Sequence, residues 1–265
     1  MTIPKIIHQT WKNDTVPEPL LSYRERWMEK YPDFEFKFYT DEDLENIVKE
    51  RYPQYLGLYK SFTSPIERVD FARYVILEKY GGIYADLDMI PINKISDDVF
   101  DTENIIFSSE PIEHAKKIYS RRVVLCNAFM MSPPQHEFWP KLIKYIVDNY
   151  EHNLSPVYTT GPMIITRYYE NHLIDFKNIT ISSPCDFFPI CNKGFSKKTQ
   201  TYHDVVYENV SEECDISKAY AAHLWANTWV LPWYKDPRFK NKKYWLIFLL
   251  LLIFLILGFY LKKLM

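Results

Sequence analysis

Apolar and polar positions along the chain switch repeatedly between a spacing of two and a spacing near 3.6, the periods of strands and helices. Lys5–Gln9 (KIIHQ) reads as a first strand ending at Thr10-Trp11, Pro19–Tyr31 as a helix, and Glu35–Tyr39 (EFKFY) as an alternating strand. Thr40 caps a short acidic helix running to about Glu50. Ser64–Tyr80 is the clearest helix. Ser64 stands at the N-cap, Pro65 at the first helical position and Glu67 where a capping box needs it, with Gly81 as the left-handed stop. A strand over Ile83–Asp88 follows, with further strands near Ile105–Ser108 and Val123–Met131. Helices fit Gln135–Tyr150 and Pro162–His172, and a last strand fits Ala219–Leu224. Strands alternating with helices, without an internal repeat, predict one α/β domain whose sheet is covered on both faces.

The pattern breaks at Tyr244–Leu261, 18 residues without a charge. As a helix this run reaches roughly 27 Å, enough for a bilayer core. Tyr244, Trp245 and Tyr260 lie at its ends, where aromatic belts sit. The chain is therefore expected to divide into a domain over 1–233, a basic stretch over 234–243, a transmembrane helix over 244–261 and a tail over 262–265. Five positive charges precede the run (Lys235, Arg238, Lys240, Lys242, Lys243) and two follow it (Lys262, Lys263). By the positive-inside rule the domain faces the cytoplasm, and no signal peptide is visible. The sequons at Asn13, Asn153, Asn178 and Asn209 matter only if it faces a lumen.

Composition narrows the class. The 265 residues are 47% hydrophobic and 25% charged, which excludes disorder and low-complexity architectures. A net charge of −2 argues against a nucleic-acid partner held by a basic surface. Only six glycines occur, so each is expected where only glycine fits. The four cysteines (Cys126, Cys185, Cys191, Cys214) include no C-x-x-C pair, which argues against a zinc site, and are too scattered for a disulfide scaffold.

The chemistry concentrates in Gly81-Gly82-Ile83-Tyr84-Ala85-Asp86-Leu87-Asp88. In a strand, residues two apart share a face, so Asp86 and Asp88 would present two hard oxygen ligands suited to Mg²⁺ or Mn²⁺. An ordinary acidic turn after a strand is the bland alternative. In the preceding helix Arg73 falls within the apolar stripe, one turn from Asp70. The two form either a surface ion pair or a charged pair pointing into the cleft with the aspartates. A haloacid-dehalogenase-type D-x-D-x-T/V motif fits poorly, since Met89 stands where Thr or Val belongs.

IPKIIHQTW at 3–11 and PIERVDFARYVILEKYGGIYADLDMIP at 65–91 resemble the family 32 glycosyltransferases, the DxD sugar-binding group. LCNAFMMSPPQHEFW (125–139), TTGPMIITR (159–167) and AHLWANTW (222–229) match in order, and the chain looks most like mannosyl-inositol-phosphoceramide synthases. The resemblance implies a GT-A (Rossmann-like) nucleotide-sugar transferase fold, a divalent cation (usually Mn²⁺) and retention of anomeric configuration. The donor would be a nucleotide-sugar, GDP-mannose first and UDP-hexoses next, and the acceptor a lipid or glycan; a regulatory subunit is left open. By motif position Trp11 would stack on the base, Asp70 and Arg73 would bind the donor, and Tyr84 would line the nucleotide pocket. Asp88 would ligate the metal directly and Asp86 through water, with His223 as a third ligand. Asn127 would touch the sugar, Gly161 would start a phosphate-facing helix, and Trp225 with Trp229 would close over the donor. The anchor would hold the enzyme at the Golgi or another endomembrane if the source is eukaryotic.

Overall fold

In a computed structural model of the chain, residues 1–172 and 178–226 are described, and residues 1–226 form one compact unit. The first half holds β1 (Ile6–Thr10), α1 (Leu20–Lys30), β2 (Glu35–Tyr39), α2 (Asp41–Arg51), α3 (Leu56–Ser61), α4 (Pro65–Tyr80), β3 (Gly82–Ala85) and β4 (Met89–Pro91). The second holds β5 (Ile105–Ser109), α5 (Ile112–Tyr119), β6 (Leu125–Ser132), α6 (Phe138–Asp148), α7 (Pro156–Thr159), α8 (Pro162–Asn171), β7 (Ile179–Ser182), α9 (Pro184–Phe187), β8 (Lys198–Tyr202), β9 (Val205–Val210) and β10 (Ala221–His223).

Six strands form one mixed sheet in the order β2-β1-β3-β6-β5-β7. β1 runs parallel to both neighbours and β5 parallel to β7, while β6 runs against β3 and β5. One face packs Tyr84, Phe107 and Met130 against Tyr74, Leu77, Trp139 and Ile165 of α4, α6 and α8. The other packs Ile7, Ile83, Ala85 and Phe129 around Trp27 of α1. The expected α/β architecture with two covered faces is present.

α4 begins and ends as the sequence predicts. The Glu67 carboxylate accepts the Ser64 N–H at 2.9 Å, and Gly81 stops the helix at φ 63°. A side chain at Gly81 would put its Cβ 2.5 Å from the Pro134 nitrogen, so the turn into β3 needs glycine for both conformation and space. His8 fastens this turn from the neighbouring strand. Its Nε2–H donates to the Gly81 carbonyl at 2.8 Å, while Nδ1 accepts from the Tyr39 hydroxyl at 2.9 Å.

Three expectations are corrected. The strand after α4 ends at Ala85, and Asp86–Asp88 form a turn closed by the Met89 N–H on the Asp86 carbonyl at 3.0 Å. The helix expected over Gln135–Tyr150 is shorter (Phe138–Asp148), because Pro134 and Gln135 form a turn in which Gln135 takes a left-handed backbone (φ 56°) that a right-handed helix cannot include. Cys185 and Cys214 form a disulfide across 29 residues, while Cys126 and Cys191 remain free and buried. The alternation also gave no sign of the β8–β9 hairpin or of the β4–β10 ladder. Among the described residues no helix is long and apolar enough to cross a membrane, and the span expected over 244–261 lies outside them, as does the domain end expected at 233.

Burial lowers the His8 pKa to about 4, against a favourable contact with the Gly81 carbonyl. Below pH 6.5 the unfolded chain binds a proton that the folded chain refuses, so stability falls as pH drops from 6.5 to 4, by about 3 kcal/mol from this group. Asp70 (below) titrates in the opposite sense. Between pH 6.5 and 4 the gain from Asp70 offsets most of the loss from His8, so His8→Asn, which keeps Asp70, should gain stability on acidification relative to the wild type by about 3 kcal/mol in denaturant unfolding.

Candidate active site

The turn after β3 carries both aspartates at the carboxyl edge of the parallel strands, where α/β sheets place ligands. Asp86 and Asp88 are brought together by the turn rather than by strand alternation. The β4–β10 ladder supplies a third group, because His223 pairs with Met89, the residue next to Asp88. His223 Nε2 donates to Asp88 Oδ1 at 3.0 Å, and the Ala226 N–H donates to Oδ2 at 2.8 Å. Ligand atoms of Asp86, Asp88 and His223 all lie within 4.8 Å of one another.

Behind this triad lies a buried charge network. Arg73 is 1% exposed, yet its guanidinium meets Asp70 Oδ1 at 3.1 Å and Asp86 Oδ1 at 3.4 Å. It also donates to the Asn127 backbone carbonyl at 2.7 Å and lies 4.5 Å above the Tyr84 ring. Asp70 accepts from the Asn127 amide (2.8 Å) and the Thr160 hydroxyl (3.1 Å). Of the two readings of the Asp70–Arg73 pair, the geometry selects the buried one aimed at the D-x-D turn.

On the other flank, the Thr10 hydroxyl donates to Tyr84, whose hydroxyl donates to Asp86 Oδ1 at 2.9 Å. Thr10, Tyr74 and Thr160 are members of this network that sequence reasoning missed; a strand position two residues from His8 was the available signal for Thr10.

Burial raises the Asp70 pKa to about 6 despite the opposing pull of Arg73. Burial also lifts Asp86, with Asp88 adding repulsion and Arg73 restraining the shift. Asp88 goes the other way: its burial is outweighed by the charge and hydrogen bond of His223, and its pKa falls. Burial disfavours a proton on His223, but Asp88 and Asp86 raise its pKa overall. Two carboxylates of different basicity beside an imidazole suit a divalent cation. The fit to a metal rests on this O,O,N donor set and on the buried His223 Nδ1, which has no hydrogen-bond partner.

The other expected residues are placed as follows. Trp11 is half-buried just past β1, its indole nitrogen without a partner. Asn127 lies inside β6, its amide committed to Asp70 and the Tyr74 hydroxyl. Gly161 caps α8, and a Cβ there would stand 3.4 Å from Asp70 Oδ2 and 3.0 Å from Val157 Cα. Trp225 adopts a left-handed backbone (φ 53°) and wedges its ring between His114 (4.5 Å) and His223 (4.2 Å). Trp229 lies outside the described residues.

Two aspartates in the turn after β3, a buried arginine behind them and a distant histidine beside them make up the candidate site. Residues 17–110 match the glycosyltransferase sugar-binding region containing DXD motif. That segment of the chain thus carries the glycosyltransferase family's sugar-binding region. It is 32% identical over 212 residues to the mannosyl phosphorylinositol ceramide synthase CSH1 of Saccharomyces cerevisiae, covering 76% of this chain and 53% of that protein. It is 46% identical over 87 residues to inositol phosphoceramide mannosyltransferase 3 of Schizosaccharomyces pombe, covering 33% of this chain and 24% of that one. An uncharacterized glycosyltransferase, L373 of Acanthamoeba polyphaga mimivirus, is 28% identical, with 70% of this chain and 75% of that one covered. The chain thus spans about half the length, or less, of the yeast proteins it matches. Among solved structures, the PaToxG glycosyltransferase superposes with a TM-score of 0.47 at 16% identity over 65% of this chain and 71% of that one, a likeness too loose to carry an argument.

Replacing Arg73 by Ala leaves Asp70 and Asp86 facing each other without their cation, and should cost about 3–5 kcal/mol in denaturant unfolding. Asp88→Asn keeps the shape but halves the carboxylate pair; Mn²⁺ affinity measured by electron paramagnetic resonance should fall at least about tenfold.

Proposed function

We propose that the chain is a divalent-metal-dependent, retaining hexosyltransferase. It moves a hexose, mannose from GDP-mannose as first choice, from a nucleotide-sugar to a membrane-associated acceptor such as inositol phosphoceramide or a glycan. The observation that carries this reading is the convergence of Asp86, Asp88 and His223 beside the Arg73 network. The choice of mannose and of a lipid acceptor is supported by the names of the yeast relatives, and UDP-hexose donors form the alternative. The apolar run over 244–261 would keep the unit at the bilayer where such an acceptor resides.

A metal held by Asp86, Asp88 and His223 would supply positive charge to the donor's diphosphate. Arg73 opposes protonation of Asp86 and orients it for that task, and Tyr84 fixes the same carboxylate from the other side. Trp11 would stack on the base and Trp229 would cover the donor, excluding water from a reaction in which hydrolysis competes. Asn127, Asp70 and Gly161 would shape the sugar subsite. The bond from the anomeric carbon to the diphosphate breaks with its electron pair leaving on the nucleotide. The acceptor oxygen bonds to that carbon from the same face, and its proton passes to the departing phosphate oxygen. Developing positive charge on the sugar is met by the preorganised carboxylates nearby.

The test is a donor panel on the full chain with Mn²⁺. GDP should raise the unfolding temperature more than UDP, since a bound ligand stabilises by mass action. GDP-mannose turnover should fall at least about 100-fold in Asp88→Asn while nucleoside binding persists. No turnover with any common donor would instead identify a sugar-binding module without catalysis. A trapped covalent sugar–enzyme adduct would overturn same-face attack.

A further inference from the structure

Two features lie outside the reaction. One is the Cys185–Cys214 disulfide; the other is the set of Asn-x-Ser/Thr sequons. The bridge is selective, since Cys126 and Cys191 stay buried as free thiols. It ties the start of α9 to the segment after β9. Cys214 packs there with Ile90, Ile216 and Ala222, under the ladder that carries His223. Such a bond persists on the oxidising side of a membrane and is rare in the reducing cytosol.

The fold also sorts the sequons. Asn209 has a left-handed backbone (φ 56°), its carbonyl is taken by the Cys191 N–H, and its partner Ser211 is 1% exposed. Asn13 lies two residues from Trp11, where a glycan would crowd the donor pocket. Ser155, of the Asn153 sequon, is half-buried at the N-terminal end of α7, immediately before the buried Pro156. Asn178-Ile179-Thr180 is different. Asn178 and Thr180 are both exposed, and β7, which starts one residue after Asn178, is the last strand of the sheet among the described residues, paired there only with β5. An open sheet edge is a template for unwanted strand pairing, and a bulky polar group beside it removes that hazard.

We propose that this unit matures on the oxidising, glycan-adding side of the membrane, with Cys185–Cys214 bridged and an N-linked glycan on Asn178 covering the open edge of β7. This goes beyond the transferase reading and does not depend on its donor. In bridging, two thiols lose two electrons and two protons to a thiol oxidant of that compartment. In glycan addition, an N–H bond of Asn178 breaks and its nitrogen bonds to the anomeric carbon of an oligosaccharide. The polyprenyl diphosphate that carried the oligosaccharide leaves and takes the proton. The charge bias around the run over 244–261 favours the opposite face, so the two readings part on one experiment.

The full chain is produced in yeast, and its membranes are treated with peptide N-glycosidase. The wild type should lose mass in one discrete step that is missing from both Asn178→Gln and Thr180→Ala, the second variant keeping the asparagine. Alkylation of the denatured chain with a polymer-tagged maleimide should mark two cysteines without reductant and four with it. A wild type with no glycosidase-sensitive mass overturns the proposal. So do four cysteines marked without reductant, and so does a mass step that survives in both variants.

Discussion

The guanidinium of Arg73 is the group around which this site is built. A cation that is 1% exposed survives only if anions and carbonyls replace the water it has lost, and here Asp70, Asp86 and the Asn127 carbonyl do so. The requirement runs in both directions. Asp86, crowded by Asp88 and poorly hydrated, would take up a proton more readily without Arg73 behind it. The network therefore favours the charged form of the D-x-D turn and fixes its geometry, which is what electrostatic preorganisation demands.

The scaffold around the network is local in origin and rigid in effect. α4 presents Asp70 and Arg73 one turn apart, and Gly81 reverses the chain into β3 so that the turn carrying Asp86 follows within a few residues. His8 and Tyr84 clamp that reversal from within the sheet, one through the Gly81 carbonyl and the other through Asp86 itself. The two faces of apolar packing leave the carboxyl ends of β1 and β3 as the place where polar groups can gather without burying unpaired charge.

A second layer, made of the β4–β10 ladder, α9 and the β8–β9 hairpin, brings the C-terminal part of the described unit back to the turn. The disulfide and the Trp225 wedge brace this layer, and His223 reaches Asp88 only because of it. The Cys185–Cys214 bridge and the strand that carries His223 thus share one structural layer, although the bridge touches neither aspartate.

What the sequence determined by itself was whatever short-range physics dictates. The cap at Ser64, the stop at Gly81, the pairing of Asp70 with Arg73 on one helix and the closeness of Asp86 to Asp88 all follow from spacing along one stretch of chain. Family resemblance then pointed to His223 and Asn127, but not to how they are held. The tertiary structure decided that Asp86 and Asp88 converge through a turn rather than along a strand, that Asn127 is engaged with Asp70 and Tyr74, and that two of the four cysteines pair. The last two, like the approach of His223 to Asp88, depend on contacts between residues far apart in sequence: His223 stands 135 positions from Asp88, Asn127 57 from Asp70, and Cys185 29 from Cys214. No periodicity encodes such a contact. It exists because strand register and burial leave those groups one arrangement in which their charges and hydrogen bonds are satisfied together.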